Sequence, residues 1–327
     1  MAFDGVITKT IVYELNNSLC NGKINKIFEP NKNEILLGIY ANGKNFALNI
    51  CIDPNNYRIH LTTNIKPNPQ NAPNFCMLLR KHILGYKIKG IESYDLERII
   101  IIHLEGYNEL NDLTNKKLVI ELMGKHSNII LLNNSDFIID SLRHLDISSN
   151  STRNILPAHL YILPQNNKYN FLNLSSFEEF KKILNKNTDQ TINKSIANNF
   201  IGFSISFVNT VLNELKIDKS LTINQLSDSV LNNIFNYISS ILSGISTGTS
   251  SIISFNNEKG KPDYSIVFKD KSDPLEVNFF IDDFYFSKET NDYFMSYRNN
   301  ILKLIFNILT KYTNRIKSID NKLAECS

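Results

Sequence analysis

The 327-residue chain carries only four cysteines, Cys20, Cys51, Cys76 and Cys326, and no two of them form a C-x-x-C pair. Thiols so few and so scattered exclude a disulfide framework and fit a reducing compartment. Long apolar runs are missing too. The longest, near "RIIIIHL", falls far short of the ~20 residues that span a bilayer. The opening "MAFDGVITKT" has an acid at Asp4 and no apolar stretch, so it does not read as a secretory signal. The six histidines, His60, His82, His103, His126, His144 and His159, show no i, i+3 or i, i+4 pair and no cysteine partner, which argues against a metal site. No G-x-S-x-G or P-loop pattern occurs. Charge of one sign is also scarce. Lys and Arg number 35 against 32 Asp and Glu, and a net +3 marks a nucleic-acid binder only if the cations cluster. These absences leave a cytoplasmic protein with no membrane segment, metal or cofactor.

Hydrophobic residues make up 42% of the chain and charged residues 20%, ordinary values for a globular protein. Ile7, Ile11, Val12, Leu15 and Leu19 recur at helical spacing and predict an amphipathic helix ended by "CNG" at Gly22. Short runs bounded by Asn, Gly, Asp or Pro then predict strands: "EILLGIYA", "FALNICI" and "YRIHLTT", the first two joined by a hairpin turn at Asn42-Gly43. "NFCMLLRKHILG" reads as a helix starting after Pro73 and closing at Gly85. "KIKGIES", "RIIIIHLEG", "KKLVIELM", "SNIILLN" and "FIID" add further strands, and the whole suggests a β-sandwich over residues 1–172.

From 173 to 246 the pattern is helical, and "IGFS" places Gly202 in a very short connection between two helices. That spelling suggests a helix-hairpin-helix, whose backbone N–H groups and helix N-termini can meet a phosphate. Residues 247–286 return to strand-like runs expected to pack back on the first domain. From 287 to 327 an apolar stripe through Phe294, Tyr297, Ile301, Ile305, Ile308, Tyr312, Ile319 and Leu323 predicts the start of a coiled coil. It reaches Ser327 without a capping signal, so the helix is expected to continue in a longer parent.

The stretch "VIELMGKHSNIILL" is laden beyond the needs of a turn, with Glu121, Met123, Lys125, His126 and Asn128 within eight positions. Alternation puts Glu121 and Met123 on one face and Leu122 on the other, a pair that would suit a contact patch if it faces solvent. An ordinary loaded turn, with Met123 as core filler, is the alternative. "ER" at Glu97-Arg98 is by itself a salt bridge at a strand start, and Asp4 by itself an N-terminal cap of the first helix.

Several ordered stretches together resemble one family. "MAFDGVITKTIVYELNNSLCNGKINKIFEP", "FCMLLRKHILGYKIKGIESYDLERIIIIHL", "LVIELMGKHSNIILLN", "LDISSNSTRNILPAHLYILP" and "DDFYFSKETNDYF" are similar to the NFACT-N portion of the RqcH/NEMF family, whose bacterial members were first called fibronectin-binding proteins. The resemblance implies an α+β fold, a β-sandwich like the glycosylase N-domain beside a helix-hairpin-helix and the start of a coiled coil. It implies ribosome-associated quality control: binding of large ribosomal subunits obstructed by peptidyl-tRNA, and recruitment of alanyl-tRNA for mRNA-independent C-terminal alanine tailing. It assigns tRNA contact to Asp4, to Glu97 and Arg98, where Glu stands in place of the family's usual Asp, and to Glu121, Leu122 and Met123. Lys125, His126, Arg80, Lys81 and Gly202 are expected to add phosphate contacts.

The physics of these residues fits RNA. Arg98 can grip a phosphate bidentately or stack on a base, while Glu97 can orient that guanidinium or accept from a base amino group. In the related formamidopyrimidine-DNA glycosylases an N-terminal proline and its adjacent glutamate carry catalysis; Ala2 and Phe3 stand there in this chain, so no enzyme activity is expected. The older family name keeps open a second expectation, a surface adhesin that binds fibronectin.

Overall fold

The computed structural model of the chain describes residues 3–108, 110–145, 153–257, 259–269 and 276–325. Ala2, Cys326 and the 146–152 part of "LDISSNSTRNILPAHLYILP" lie outside them.

Helix α1 (Gly5–Leu19) buries Val6, Ile7, Ile11, Val12, Leu15 and Leu19, the stripe its spacing predicts. It ends through Asn21 in the left-handed region (φ 64°), so Asn21, not Gly22, makes the reversal. Strands β1 (Lys23–Asn31), β2 (Glu34–Ala41), β3 (Lys44–Cys51) and β4 (Arg58–Leu61) follow, with β2 and β3 joined at Asn42-Gly43. Both turn residues have positive φ, as a two-residue hairpin turn that matches strand twist requires. After helix α2 (Asn74–Ile83) come β5 (Lys87–Ser93), β6 (Ile99–Tyr107), β7 (Leu113–Glu121), β8 (Asn128–Leu132) and β9 (Ile138–Ser141).

The nine strands form one sheet, in the order β4-β3-β2-β1-β5-β6-β7-β8-β9, with antiparallel neighbours. The expected sandwich is thus a single sheet whose halves meet through one pairing, Lys23 with Lys87. Helix α1 packs on strands of both halves, and Arg143, just past β9, ties them at a distance. Its guanidinium donates to the Ser127 carbonyl at 3.1 Å on one side, and to Asn33 Oδ1 at 2.8 Å and the Ile52 carbonyl at 3.1 Å on the other. A dry cluster of Ile99, Val119, Ile130, Leu132, Ile138 and Ile155 fills one face of the β6–β9 half.

Helices α3 (Phe177–Leu184), α4 (Ile192–Asn199), α5 (Ile205–Glu214) and α6 (Asp228–Thr247) surround an aromatic cluster of Phe171, Phe180, Phe200, Phe203, Phe207 and Phe235. Hairpin β10 (Ser250–Asn256) and β11 (Pro262–Phe268) packs against α5, α6 and α1. The strand-like reading to residue 286 gives way at Glu276, where α7 (Glu276–Glu325) begins. Buried Val277, Ile281 and Tyr285 recur every four residues, so helical period outweighs the β preference of "NFFIDDFYF".

Residues up to Asp282 form one compact unit and those from Asp283 a second. The second is a single helix whose apolar stripe is exposed, Phe294 by 66% and Leu323 by 64%. No partner helix covers the stripe among the described residues, so the expected coiled coil is not shown. No helix of the described residues is long and apolar enough to cross a membrane.

Candidate functional site

The site grows from the start of α1. Asp4 caps this helix, one carboxylate oxygen accepting from the Val6 and Ile7 N–H groups at 3.1 Å each. Its other oxygen accepts from the Ser204 hydroxyl at 2.6 Å. Ser204 in turn caps α5, accepting from the Phe207 N–H at 3.0 Å. One buried carboxylate therefore binds two helix starts that lie 200 residues apart in sequence.

Glycines bring the backbones together. The Gly5 N–H donates to the Gly202 carbonyl at 2.9 Å, and both residues press on the turn before β6. A Cβ at Gly5 would lie 1.8 Å from the Leu96 carbonyl oxygen, and one at Gly202 would lie 2.1 Å from it. Gly202 also has φ +77°, open to glycine at little cost. Gly202 itself is half-buried. Its conformation serves close packing of the helical connection on the sheet, and the α5 start already faces the protein's own Asp4 carboxylate.

Leu96 leads directly into Glu97 and Arg98. Arg98 is half-buried, its guanidinium 5.6 Å from the Tyr57 ring centroid and donating to the Tyr57 hydroxyl at 3.0 Å. Glu97 does not hold Arg98; it accepts from the Asn166 amide at 2.7 Å. The Arg98 carbonyl accepts from the Leu122 N–H at 2.9 Å, which joins this pair to the Glu121-Leu122-Met123 segment.

That segment departs from its expected exposure. Glu121 and Leu122 are fully buried and Met123 packs partly on the dry sheet cluster. A solvent-facing Glu–Met patch is therefore ruled out in this conformation. Glu121 accepts from Arg153 at 2.6 Å and from the Tyr161 hydroxyl at 2.7 Å. A carboxylate with no water must be matched in this way, so Glu121 braces the loop that carries Arg153 and Tyr161. Burial, then the Glu121 charge and hydrogen bond, push the Tyr161 hydroxyl well above its ordinary range, keeping it a donor. The Leu122 side chain packs in the core.

The turn Gly124–His126 leaves Lys125 and His126 exposed. It lies beside Tyr57, since a Cβ at Gly124 would fall 3.9 Å from the Tyr57 ring. Arg80 and Lys81 belong to another face. Helix α2 packs on β1 and β9, and the Arg80 guanidinium is spent on the Ile27 carbonyl at 2.9 Å and the Phe28 ring. Lys81 is exposed there.

Lys168 completes the cationic rim. Its ammonium donates to the Ala197 carbonyl at 2.9 Å, near the end of α4. Partial burial, then the nearby Arg98 cation, lower its pKa, while Glu97 opposes them. Sequence reading missed Lys168 and Tyr57, which no local motif marks, and missed the pairing of Glu121 with Arg153. Ser204 did carry a signal, a serine just ahead of an apolar helical run.

The electrostatics of Asp4 are set by burial, which raises its carboxyl from 3.8 to about 6 against the lowering pull of Ser204, the two N–H groups and Arg98. Because the folded value lies above the unfolded one, this stabilising contribution is complete below 3.8 and is lost as pH rises through about 6. Asp4→Asn removes the titration. Relative to that variant, the wild-type chain is expected to lose on the order of 2–3 kcal/mol of unfolding free energy between about pH 4 and pH 6.5. Urea melts at each pH read this directly, and parallel curves would show that the carboxyl titrates as if in water.

The arrangement supplies an Arg98 guanidinium held at Tyr57, a second cation at Lys168 and exposed donors at Lys125 and His126. Among the described residues no group of three His, Cys, Asp or Glu is placed to hold a metal. Residues 4–327 match the family described as NFACT N-terminal and middle domains.

The chain belongs to this NFACT family.

Its NFACT relatives include "Rqc2 homolog RqcH" of Bacillus subtilis (strain 168), 32% identical over 327 residues, which cover 99% of this chain and 55% of that protein. "Archaeal Rqc2 homolog aRqcH" of Methanocaldococcus jannaschii is 32% identical over 268 residues, 80% of this chain and 36% of that one. The chain thus spans about half the length of the bacterial NFACT relative. Among solved structures, the N-terminal part of the fibronectin/fibrinogen-binding protein of Streptococcus suis aligns at a TM-score of 0.69 and 28% identity, covering 88% of this chain and all of that one.

Proposed function

We propose that this chain is the tRNA-facing part of a ribosome-associated quality control factor. In this reading Arg98, Lys168, Lys125 and His126 meet tRNA phosphates, or stack on an unpaired base in the case of Arg98. Glu97 accepts from a base edge, and Asp4 and Glu121 position the backbone and loops that present these groups. The charged tRNA is alanyl-tRNA, delivered to a large subunit obstructed by peptidyl-tRNA, and the alanine tail is added without mRNA. The ribosome forms each peptide bond, so the factor is not itself an enzyme and acts in the cytoplasm without a cofactor. Contacts to the large subunit fall mainly to the half of the relatives that this chain does not span.

One observation carries the reading. Asp4, the Glu97-Arg98 pair, the Glu121–Met123 segment and Gly202 come from four distant parts of the sequence and join through direct hydrogen bonds and a shared contact at Leu96. Arg98→Ala is expected to weaken tRNA binding about tenfold, the loss of one charge-assisted contact of about 1.5 kcal/mol, without lowering the melting temperature. Filter binding with purified tRNA checks it, and an equally tight, soluble variant would remove Arg98 from the interface. Sequencing the RNA that co-purifies with the protein tests the larger claim: enrichment of alanine tRNA supports it, and an unselective RNA population does not.

The Streptococcus suis likeness favours a second reading, fibronectin binding at a surface. Capture of fibronectin at physiological salt that persists under excess tRNA would support that reading over the first.

A further inference from the structure

An open cavity of about 610 Å³ lies on the helical part of the molecule, with Lys168, Lys182 and Lys186 in its wall. Lys182 lies in the last turn of α3 and Lys186 in the turn that follows it, and both are exposed. No ion pair joins either to a carboxylate among the described residues, whereas their neighbour Lys181 is paired with Asp228 at 2.6 Å. Glu179, the acid in the same wall, is occupied by the Ser175 N–H at 2.9 Å. The Glu179 carboxylate shares this wall, but the described residues form no ion pair that takes up either cation.

The rest of the wall holds these cations in place. The Lys186 ammonium lies 4.8 Å from the Tyr169 ring centroid and also bonds the Tyr169 hydroxyl. Asn170, also in the wall, accepts from the Leu172 N–H through its Oδ1, yet its buried Nδ2 has no acceptor. A buried donor without a partner costs free energy that an anionic ligand can return. Lys168 belongs both to this wall and to the neighbourhood of Arg98 and Glu97, so the cavity continues the rim described above.

We propose that this cavity is a second phosphate subsite, which holds a looped or single-stranded segment of the same RNA that meets Arg98. Lys182 and Lys186 neutralise its phosphates, Lys168 spans the two subsites, and the Asn170 amide donates to the ribose-phosphate. The inference rests on the tRNA reading of the Arg98 site but uses residues outside it.

The test is the binding of unfractionated tRNA to the full chain over 50–300 mM salt, for wild type, Lys182→Ala/Lys186→Ala and Lys182→Arg/Lys186→Arg. Each phosphate contact on a single strand contributes about 0.7 to the slope of log affinity against log salt, so the double alanine variant is expected to lose about 1.4 of slope. At 0.1 M salt its affinity falls roughly tenfold or more. The arginine variant keeps both. Lys182→Ala alone changes an exposed side chain and is expected to lose half the slope, which keeps the test valid if the double variant disturbs the Tyr169 packing. Unchanged affinity and slope in both alanine variants, with Arg98→Ala still weakened, would overturn the subsite and leave the tRNA reading standing. Failure of the wild-type chain to bind tRNA would overturn both.

Discussion

Replacing Glu121 with alanine is expected to destabilise the chain by about 3–5 kcal/mol, the usual cost of removing one member of a buried ion pair. Glu121 has no exposed surface, and its two oxygens take the Arg153 guanidinium and the Tyr161 hydroxyl at 2.6 and 2.7 Å. Burial lowers the Arg153 pKa, and the bond to Glu121 and its charge raise it by more, so much of what favours the charged guanidinium at this place is lost with the carboxylate. The truncated chain loses the carboxylate that faces both Arg153 and the Tyr161 hydroxyl, or expels the loop that carries them. Glu121→Gln retains an acceptor for Tyr161 and is expected to cost less than the alanine. Urea unfolding of the two variants measures the order. A loss under 1 kcal/mol for Glu121→Ala would show that the loop detaches freely and that the bracing role assigned to Glu121 is mistaken.

Gly202→Ala is expected to cost roughly 2–5 kcal/mol, by adding a left-handed backbone penalty of about 1–2 kcal/mol to an overpacking penalty of about 1–3 kcal/mol. The added Cβ would sit 2.1 Å from the Leu96 carbonyl oxygen and 2.8 Å from the Leu96 Cβ. A backbone carbonyl cannot rotate away as a side chain can. The connection between α4 and α5 would have to lift, stretching the bond between Gly5 N–H and the Gly202 carbonyl and the Ser204 bond to Asp4. tRNA affinity should therefore fall together with stability, whereas Arg98→Ala lowers affinity alone. Full stability in Gly202→Ala would mean that the two parts do not meet as closely as 2.1 Å implies.

Much of this fold is legible in the sequence because local rules decide it. Alternation and turn residues mark β2 and β3 around Asn42-Gly43, and helical spacing marks α1. The failures occur where distant residues decide. Period two placed Glu121 and Met123 on one face, yet parity does not say which face is wet. That is settled by Arg153, thirty-two residues later, which arrives over the sheet and shuts Glu121 from water. Gly202 read as a turn glycine, which it is, but its tight approach to Leu96 has no local spelling. In the same way "ER" suggested an internal salt bridge, while each side chain found a partner elsewhere, Glu97 at Asn166 and Arg98 at Tyr57. The strand-like span was expected to run to residue 286, and the four-residue spacing of Val277, Ile281 and Tyr285 carries the helix back into it.

The first turns of α7 lie against the free margin of β4, where Asn278 accepts the Leu61 N–H at 2.9 Å and Asp282 takes the Thr63 N–H at 3.0 Å. Those two side chains occupy the hydrogen-bonding groups that a further strand would otherwise claim. A shortened chain ending ahead of Glu276 would bare that margin to every other copy in solution. Its characteristic fault would be self-association by strand addition, visible as a concentration-dependent rise in mass before any loss of helix signal.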